Sequence, residues 1–401
     1  MDITINELGQ LTPDSYILLD MRGDVEVGHG IIPGAIHMSK EEILEKYSGG
    51  LVKADEAEAA EREDSAEKKL IIYCARGRIS QELAEELRDR GYDAYSLKGG
   101  YTSWLLNEMK NQQADEVCAQ VEKSIRKKFR KNIWCKFTKA INQYELVKEG
   151  DCIAVCISGG KDSMLMAKLF QELKLHNKFP FEVKFVVMDP GYSPENRKVI
   201  EENARKLKIP IHIFESDIFE SVYHIEKSPC YLCARMRRGY LYAHARELGC
   251  NKIALGHHFD DVIETILMGI LYGGQINTMM PKLHSTNFQG MELIRPLYYV
   301  KEEDILAWKD YNSLHFLQCA CRFTERIAKE QAARGMAGEA ADIVHTSKRQ
   351  EMKALIRSLR KTSPFIDANI MKSVENINLD ACLGYVKDGV RRHFMDEYDE
   401  R

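Results

Sequence analysis

The apolar run Cys152-Ile153-Ala154-Val155-Cys156-Ile157 passes directly into Ser158-Gly159-Gly160-Lys161-Asp162-Ser163 and then into Met164-Leu165-Met166-Ala167-Lys168-Leu169-Phe170. A β-rich run that ends in paired glycines and opens onto helix-forming residues reads as strand, tight loop, helix. The glycines let backbone N–H groups approach an anion, the helix N-terminus adds partial positive charge, and Lys161 adds a full one. The spacing is not the longer Gly-x-x-x-x-Gly-Lys-Ser/Thr loop of one large class of nucleotide-hydrolysing proteins. An ordinary strand-to-helix turn is the bland alternative, and the six residues together in this context disfavour it.

The chain has 401 residues, more than one typical core accommodates, so two or three domains are expected. No apolar stretch approaches 18 residues and no signal-like segment opens the chain, so a cytoplasmic protein without membrane contact is expected. Eleven scattered cysteines argue for reduced thiols acting as ligands or nucleophiles rather than a disulfide framework. The net charge of −4 is uneven: residues 1–114 hold 13 Lys and Arg against 22 Asp and Glu, a balance of −9, leaving +5 for the rest. The basic part is the one suited to a polyanion.

Near the N-terminus, the strand Tyr16-Ile17-Leu18-Leu19-Asp20 precedes Arg22 and His29-Gly30-Ile31-Ile32-Pro33-Gly34-Ala35-Ile36-His37. A second strand, Leu70-Ile71-Ile72-Tyr73, ends at Cys74-Ala75-Arg76-Gly77-Arg78-Ile79-Ser80, with a helix expected from near Gln81. Loop N–H groups, the helix dipole, Arg76 and Arg78 would together lower the Cys74 pKa and make it a nucleophile. A buried structural thiol is the alternative. The Asp20-x-Arg22 pair, Ile-Pro-Gly-Ala-Ile, the cysteine loop and Lys98-Gly99-Gly100-Tyr101-Thr102-Ser103-Trp104 together resemble a rhodanese domain over residues 1–110. That resemblance implies a persulfide carried on Cys74. Two departures stand out: one extra residue in His29-Gly30-Ile31-Ile32-Pro33, and Arg78 one place earlier than in many members. Residues 53–67 form an acidic, alanine-rich insertion expected to be a solvated helix or loop.

The polar stretch Asn111-Gln112-Gln113-Ala114 reads as a linker. Val117, Val121, Ile125, Phe129, Ile133, Phe137 and Ile141 then recur every four residues, an amphipathic helix by period. Its polar side carries Lys123, Arg126, Lys127, Lys128, Arg130, Lys131, Lys136 and Lys139 with no acid between Glu122 and Glu145. A solvated face and a phosphate-backbone contact are both open readings.

From residue 151 strands and helices alternate, with strands expected at 152–157, 183–188, 210–214, 252–256 and 293–297. This predicts an α/β fold, a doubly wound and mostly parallel sheet, with ligands beyond the C-terminal strand ends. Asp189 and Gly256-His257-His258-Phe259-Asp260-Asp261 follow two of these strands and should converge on the Ser158 loop. The two histidines read as packing or capping residues. Ser-Gly-Gly-Lys-Asp-Ser resembles the PP-loop of the ATP pyrophosphatase superfamily, of adenine nucleotide alpha hydrolase-like fold. ATP is thereby implied at Ser158, Gly159, Gly160, Lys161, Asp162 and Ser163, and Asp162, Asp260 and Asp261 are hard oxygen donors suited to Mg2+.

Pro229-Cys230-Tyr231-Leu232-Cys233 opens a further helical stretch, and Cys319-Ala320-Cys321 follows much later. A redox pair, half a zinc site and part of an iron–sulfur site are the readings that Cys-x-x-Cys allows, and three ligands is the natural count. Residues 120–380 resemble the tRNA 2-thiocytidine synthetase family through Ser158 to Ser163, the Cys230–Cys233 motif, Arg237-Arg238-Gly239, Ala254-Leu255-Gly256-His257-His258-x-Asp260-Asp261, Tyr272-Gly273-Gly274, Ile294-Arg295-Pro296-Leu297 and Asp304-Ile305. The resemblance implies a [4Fe–4S] cluster on Cys230, Cys233 and Cys319, with Cys321 a competitor for the third place. It also implies a tRNA substrate thiolated at cytidine 32 and an upstream persulfide donor such as a cysteine desulfurase, with Cys74, Lys161 and Asp162 in catalytic roles. A homodimer is left open. The expected organisation is a rhodanese-like domain at 1–110, a linker and basic helix at 111–150, the PP-loop domain at 151–325 and a helical region at 326–401. In that last region Lys348, Arg349, Lys353, Arg357, Arg360 and Lys361 make either a packing helix or a second basic surface. The rival readings are another adenylating PP-loop enzyme, such as one making lysidine or an amide, and a non-enzymatic sulfur carrier.

Overall fold

Parallel strands that carry helices on both faces are apolar along their whole length, and the runs around residues 70 and 155 follow that rule. The computed structural model describes residues 1–48, 68–176, 178–216, 218, 229–317 and 348–400. The acidic stretch 53–67, Cys319 and Cys321 lie outside the described residues. Two units are formed, Met1–Ala114 and Asp115–Arg401, and both are α/β.

In the first unit, β1 (Asp2–Ile3), β2 (Tyr16–Asp20), β3 (Ile36–His37), β4 (Lys69–Tyr73) and β5 (Ala94–Leu97) make a sheet of order β1-β5-β4-β2-β3, parallel throughout. Its central strand β4 is buried on both faces. Leu70 and Ile72 join a core with Leu19, Leu83 and Leu87, while Ile71 and Tyr73 join another with Ile3, Leu18 and Leu97. The helix after β4 starts at Arg78, three residues before the expected start. Gly77, at φ +83°, turns the chain early.

In the second unit, β6 (Cys152–Ile157), β7 (Glu182–Asp189), β8 (Ile211–Glu215), β9 (Lys252–Ala254), β10 (Lys282–His284) and β11 (Glu292–Ile294) form a sheet of order β10-β11-β9-β6-β7-β8. All pairs are parallel except β10 with β11. The edge strand β10 is three residues long and mostly exposed, too short to show a period in the sequence. The chain winds outward from β6 to β8 and then returns to β9 on the other side of β6. The topological switch point therefore lies between the ends of β6 and β9, where ligands bind in open α/β sheets. A further hairpin, β12 (Gly384–Lys387) with β13 (Val390–His393), follows the last helices.

Residues 111–114 are helical, within the helix Gly100–Arg126. The four-residue apolar repeat beyond them does not make one continuous α-helix. Four residues at 3.6 per turn overshoot by about 40°, so six such steps would carry the stripe roughly 240° around a straight helix. The chain instead breaks after Arg126, forms a π-helical turn over Arg130–Trp134, and resumes as the helix Cys135–Gln143. The wider turn brings Ile133 and Phe137 back to the side of Val121 and Ile125, and all four are fully or almost fully buried. Phe137 packs its ring against Trp134 and edge-on against Phe170. Phe137→Ala should cost about 3–5 kcal/mol in urea unfolding; a loss under 1 kcal/mol would mean that this turn is not seated in the core.

Candidate functional site

At the switch point, β6 runs through Ser158-Gly159-Gly160 into the helix Lys161–His176. Gly159 has φ +80°, and a Cβ there would lie 2.6 Å from Ile200 Cγ1, so only glycine fits. The loop is closed by the Ser158 N–H donating to Ser163 Oγ at 3.1 Å and by Ser163 Oγ donating to the Gly160 carbonyl at 3.0 Å. On the other side, a Cβ on Gly256 would lie 3.2 Å from the Ser163 N. The loops after β6 and β9 thus touch through backbone. The helix begins with N–H groups that have no intrahelical acceptor, aimed at the same crevice.

Lys161 is the cation of this crevice. Its Nζ lies 3.2 Å from Asp162 and 3.2 Å from Glu302 Oε1. Burial works against its charge, but the two carboxylates outweigh it and raise its pKa. Asp162 Oδ1 is buried and, beyond the ion pair with Lys161, accepts no hydrogen bond. His258 is buried between Asp162, Asp260 and Asp261, with ring nitrogens 3.6–3.9 Å from their oxygens. His257 is neutral, since burial and Arg295 push its pKa down to about 4. Asp189 serves its own turn, accepting from the N–H groups of Gly191 and Tyr192.

Asp260 and Asp261 are engaged by other groups. Asp260 accepts the Glu302 N–H at 2.7 Å and pairs with Arg360 at 2.7 Å. Asp261 accepts the His258 N–H at 3.0 Å, capping the helix Phe259–Gly273, and pairs with Arg349 at 3.2 Å. Among the described residues, no group of three or more His, Cys, Asp or Glu is arranged to hold a metal ion. Of the three aspartates, Asp162 alone keeps a buried carboxylate oxygen without a hydrogen bond, and it fits Mg2+ of the kind held by one carboxylate plus substrate phosphates.

The helix Lys348–Thr362 supplies the counter-charges. Arg349, Lys353, Ile356 and Arg360 share one face at helical spacing. Lys353 pairs with Glu302 at 3.1 Å, and Arg360 also holds Asp367 at 2.8 Å. Glu302, against the penalty of burial, is held at a pKa of about 2 by Lys353 and Lys161. Three cations expected either to pack or to form a second basic surface therefore pack, while Lys348, Arg357 and Lys361 stay exposed. Sequence reading missed Glu302 and Glu264. The signal was present as carboxylates at 260, 261 and 264 on one helix face opposite cations at 349, 353 and 360.

In the first unit, Cys74 follows β4 and is buried, its Sγ accepting the Gly77 N–H at 3.1 Å and the Ser80 hydroxyl at 3.5 Å. Burial raises its pKa, but the Ser80 hydroxyl and the N–H groups of Ser80, Arg76 and Gly77 outweigh that, and the net shift is downward. Exposed Arg76 acts on Cys74 through its backbone N–H rather than its guanidinium charge, and exposed Arg78 begins the helix that follows. Gly100 is required beside this loop, because a Cβ there would lie 2.1 Å from the Cys74 carbonyl oxygen. Asp20 and Arg22 form a buried bidentate pair, completed by Tyr73 donating to Asp20 at 2.8 Å and by the Arg22 guanidinium stacked 3.6 Å over Tyr101. Arg22 also donates to the Gly30 carbonyl, securing the segment with the extra residue. Cys230 and Cys233 lie three residues apart at the start of the helix Pro229–Glu247.

Residues 129–327 match the PP-loop domain family, and residues 4–107 match the rhodanese-like domain family. The tRNA-cytidine(32) 2-sulfurtransferase of Geotalea uraniireducens is 34% identical over 243 residues, 60% of this chain and 88% of that protein. That of Alkalilimnicola ehrlichii is 37% identical over 244 residues, 59% of this chain and 70% of that protein. Among solved structures, the U34-tRNA thiolase NcsA of Methanococcus maripaludis with its [4Fe-4S] cluster aligns at 20% identity and TM-score 0.45, covering 61% of this chain and 78% of that one. Among the described residues no helix is long and apolar enough to cross a membrane.

Two side chains give direct tests. Iodoacetamide should alkylate Cys74 with a pH midpoint below that of an ordinary cysteine. Ser80→Ala should move the midpoint up and slow alkylation at pH 7; an unchanged profile would remove the hydroxyl from the account. Glu264 is 1% exposed, and burial pushes its carboxyl up to about 7 despite Lys353 and Arg349. Its protonated form stabilises the fold fully below the ordinary value of 4.5, and that contribution is lost as pH rises through about 7. Glu264→Gln should therefore melt with the wild type at pH 5 and above it at pH 8, whereas equal melting at both would contradict the shift.

Proposed function

The chain belongs to the tRNA-cytidine(32) 2-sulfurtransferase family, and from that premise we propose that it thiolates cytidine 32 of tRNA with sulfur carried on its own Cys74. The reaction class is sulfur transfer to tRNA by an enzyme with a PP-loop domain. The observation that carries the reading is Lys161, held charged at the switch-point loop beside Asp162, in a chain that also presents a thiol of lowered pKa at Cys74.

The loop's N–H groups and Lys161 would bind ATP phosphates, with Asp162 taking Mg2+. The base oxygen at C2 attacks the α-phosphorus, pyrophosphate leaves, and a poor leaving group becomes AMP. Sulfur then forms a bond to C2 as the C2–O bond breaks. Lys161 and the bound cation would stabilise the charge that grows on pyrophosphate. Asp260, Asp261 and Glu302 would keep the loop and the helix Lys348–Thr362 in register around that step. Cys230, Cys233 and Cys319 would hold a [4Fe–4S] cluster, which supplies an iron with an open position for sulfur. Cys74, its thiolate sustained by Ser80 and the loop amides, would attack the outer sulfur of a donor persulfide and release the donor thiolate; a cellular dithiol would then reduce the Cys74 persulfide, freeing the Cys74 thiolate and sulfide-level sulfur for C2 as the dithiol becomes a disulfide.

The test is thiolation of transcribed tRNA by anaerobically purified protein with ATP and a dithiol reductant. Wild type should be brown, release pyrophosphate only with tRNA present, and yield 2-thiocytidine. Lys161→Ala should lose activity by roughly 100- to 1000-fold. Cys74→Ser should work with sulfide and fail with a persulfide-loaded cysteine desulfurase. A colourless, zinc-binding protein would contradict the thiolation reading, and Cys74→Ser active with both donors would contradict the relay.

A further inference from the structure

The cations of segment 123–139 are only partly used by the fold and not at all by the proposed chemistry. All eight of its cations are exposed. Three have internal roles: Arg126 pairs with Glu172 and Glu122, Lys128 lies 3.8 Å over the Tyr311 ring, and Lys139 lies 4.4 Å over Tyr299. Lys136 acts on Asp304. The side chains of Lys123, Lys127, Arg130 and Lys131 have no hydrogen bond or ion pair among the described residues. A solvated helix face ordinarily interleaves acids three or four residues from its cations, because like charges at that spacing are mutually destabilising. Here Lys127, Arg130 and Lys131 lie within five residues of one another in sequence, with no acid before Glu145.

The cations are also held on a fixed scaffold. Phe129, which precedes the π-helical turn, and Ile133, which lies within it, are both buried, Phe129 is edge-on to Tyr311, and Asn132 Nδ2 donates to Asp304 at 2.9 Å. Asp304 lies in the first turn of the helix Glu302–Tyr311, two residues from the Glu302 that holds Lys161. The unneutralised turn therefore adjoins the crevice at which a base would be activated. Tyr311, 48% exposed, places an aromatic face among the cations. Clustered cations with an interleaved ring suit a polynucleotide: the cations meet phosphates, and the ring offers a stacking surface to an unpaired base.

We propose that the turn bearing Lys127, Arg130 and Lys131 is the surface that grips the RNA phosphate backbone and holds the target loop over the Lys161 crevice. This rests on the tRNA-modifying reading above. It says where the substrate docks, which that reading leaves open.

The experiment is fluorescence anisotropy with a labelled tRNA transcript bearing cytidine at position 32, titrated with the full chain over a salt series. A triple variant, Lys127→Gln, Arg130→Gln and Lys131→Gln, is compared with Lys174→Gln, Lys178→Gln and Lys206→Gln, which removes three exposed cations elsewhere. The first should bind roughly 10- to 100-fold more weakly near 0.15 M salt, and its log–log salt slope should be shallower by about two to three. Its melting temperature and its affinity for ATP should match wild type, and the second variant should bind tRNA like wild type. Wild-type tRNA binding left unchanged by the first variant overturns this surface and leaves the tRNA reading standing. A wild-type chain that binds no tRNA overturns both.

Discussion

A single ammonium group, that of Lys161, sets the arrangement of the second unit's upper edge. It is buried enough to need partners and positioned to need only two, Asp162 beside it in sequence and Glu302 far from it. Glu302 in turn needs Lys353, which with Arg349 faces Glu264, and Arg349 and Arg360 hold Asp261 and Asp260. One alternating network of charges thus fixes the phosphate loop, the start of the helix Phe259–Gly273, the start of the helix Glu302–Tyr311 and the helix Lys348–Thr362. These pairs are part-buried, and removing one partner leaves the other's charge poorly compensated, so the elements are coupled through charge as well as through apolar contacts.

The two units solve the same geometric problem with different chemistry. Each places its reactive group where a buried parallel strand ends and a helix begins, and each uses a glycine of positive φ to make the turn, Gly77 in one and Gly159 in the other. In the first, neutral donors surround a thiol and favour its ionised form, because a full cation is not needed to lower a thiol's pKa. In the second, a full cation is retained, as the proposed binding of a multiply charged phosphate chain requires. The proposed roles, sulfur carrier for Cys74 and adenylating site for Lys161, have different electrostatic needs, and the hydrogen bonds at Cys74 and the ion pairs at Lys161 suit them.

Much of this was legible in the chain. Strand β6 and the loop after it stand at the residues expected, because a buried parallel strand must be continuously apolar and a tight phosphate loop must be glycine-rich. The edge strand β10 was not, since three residues, mostly exposed, show no period. The π-helical turn was legible only in part: a repeat of four was visible, but its mismatch with 3.6 residues per turn calls for a local widening that no propensity marks. Glu302 escaped notice because its partners, Lys161 and Lys353, are 141 and 51 residues away. The engagement of Asp260 and Asp261 by Arg360 and Arg349 escaped for the same reason: two motifs adjacent in space were distant in sequence.

The proposed function makes this chain a tRNA sulfurtransferase in which carrier and activating site are encoded together. Its central claim is that the modified atom is C2 of a tRNA cytidine. Nucleoside mass spectrometry of total tRNA from cells with and without this gene tests that most directly. The account predicts that 2-thiocytidine disappears in its absence and returns with the intact gene but not with Lys161→Ala. Unchanged 2-thiocytidine, with another nucleoside lost instead, would contradict it.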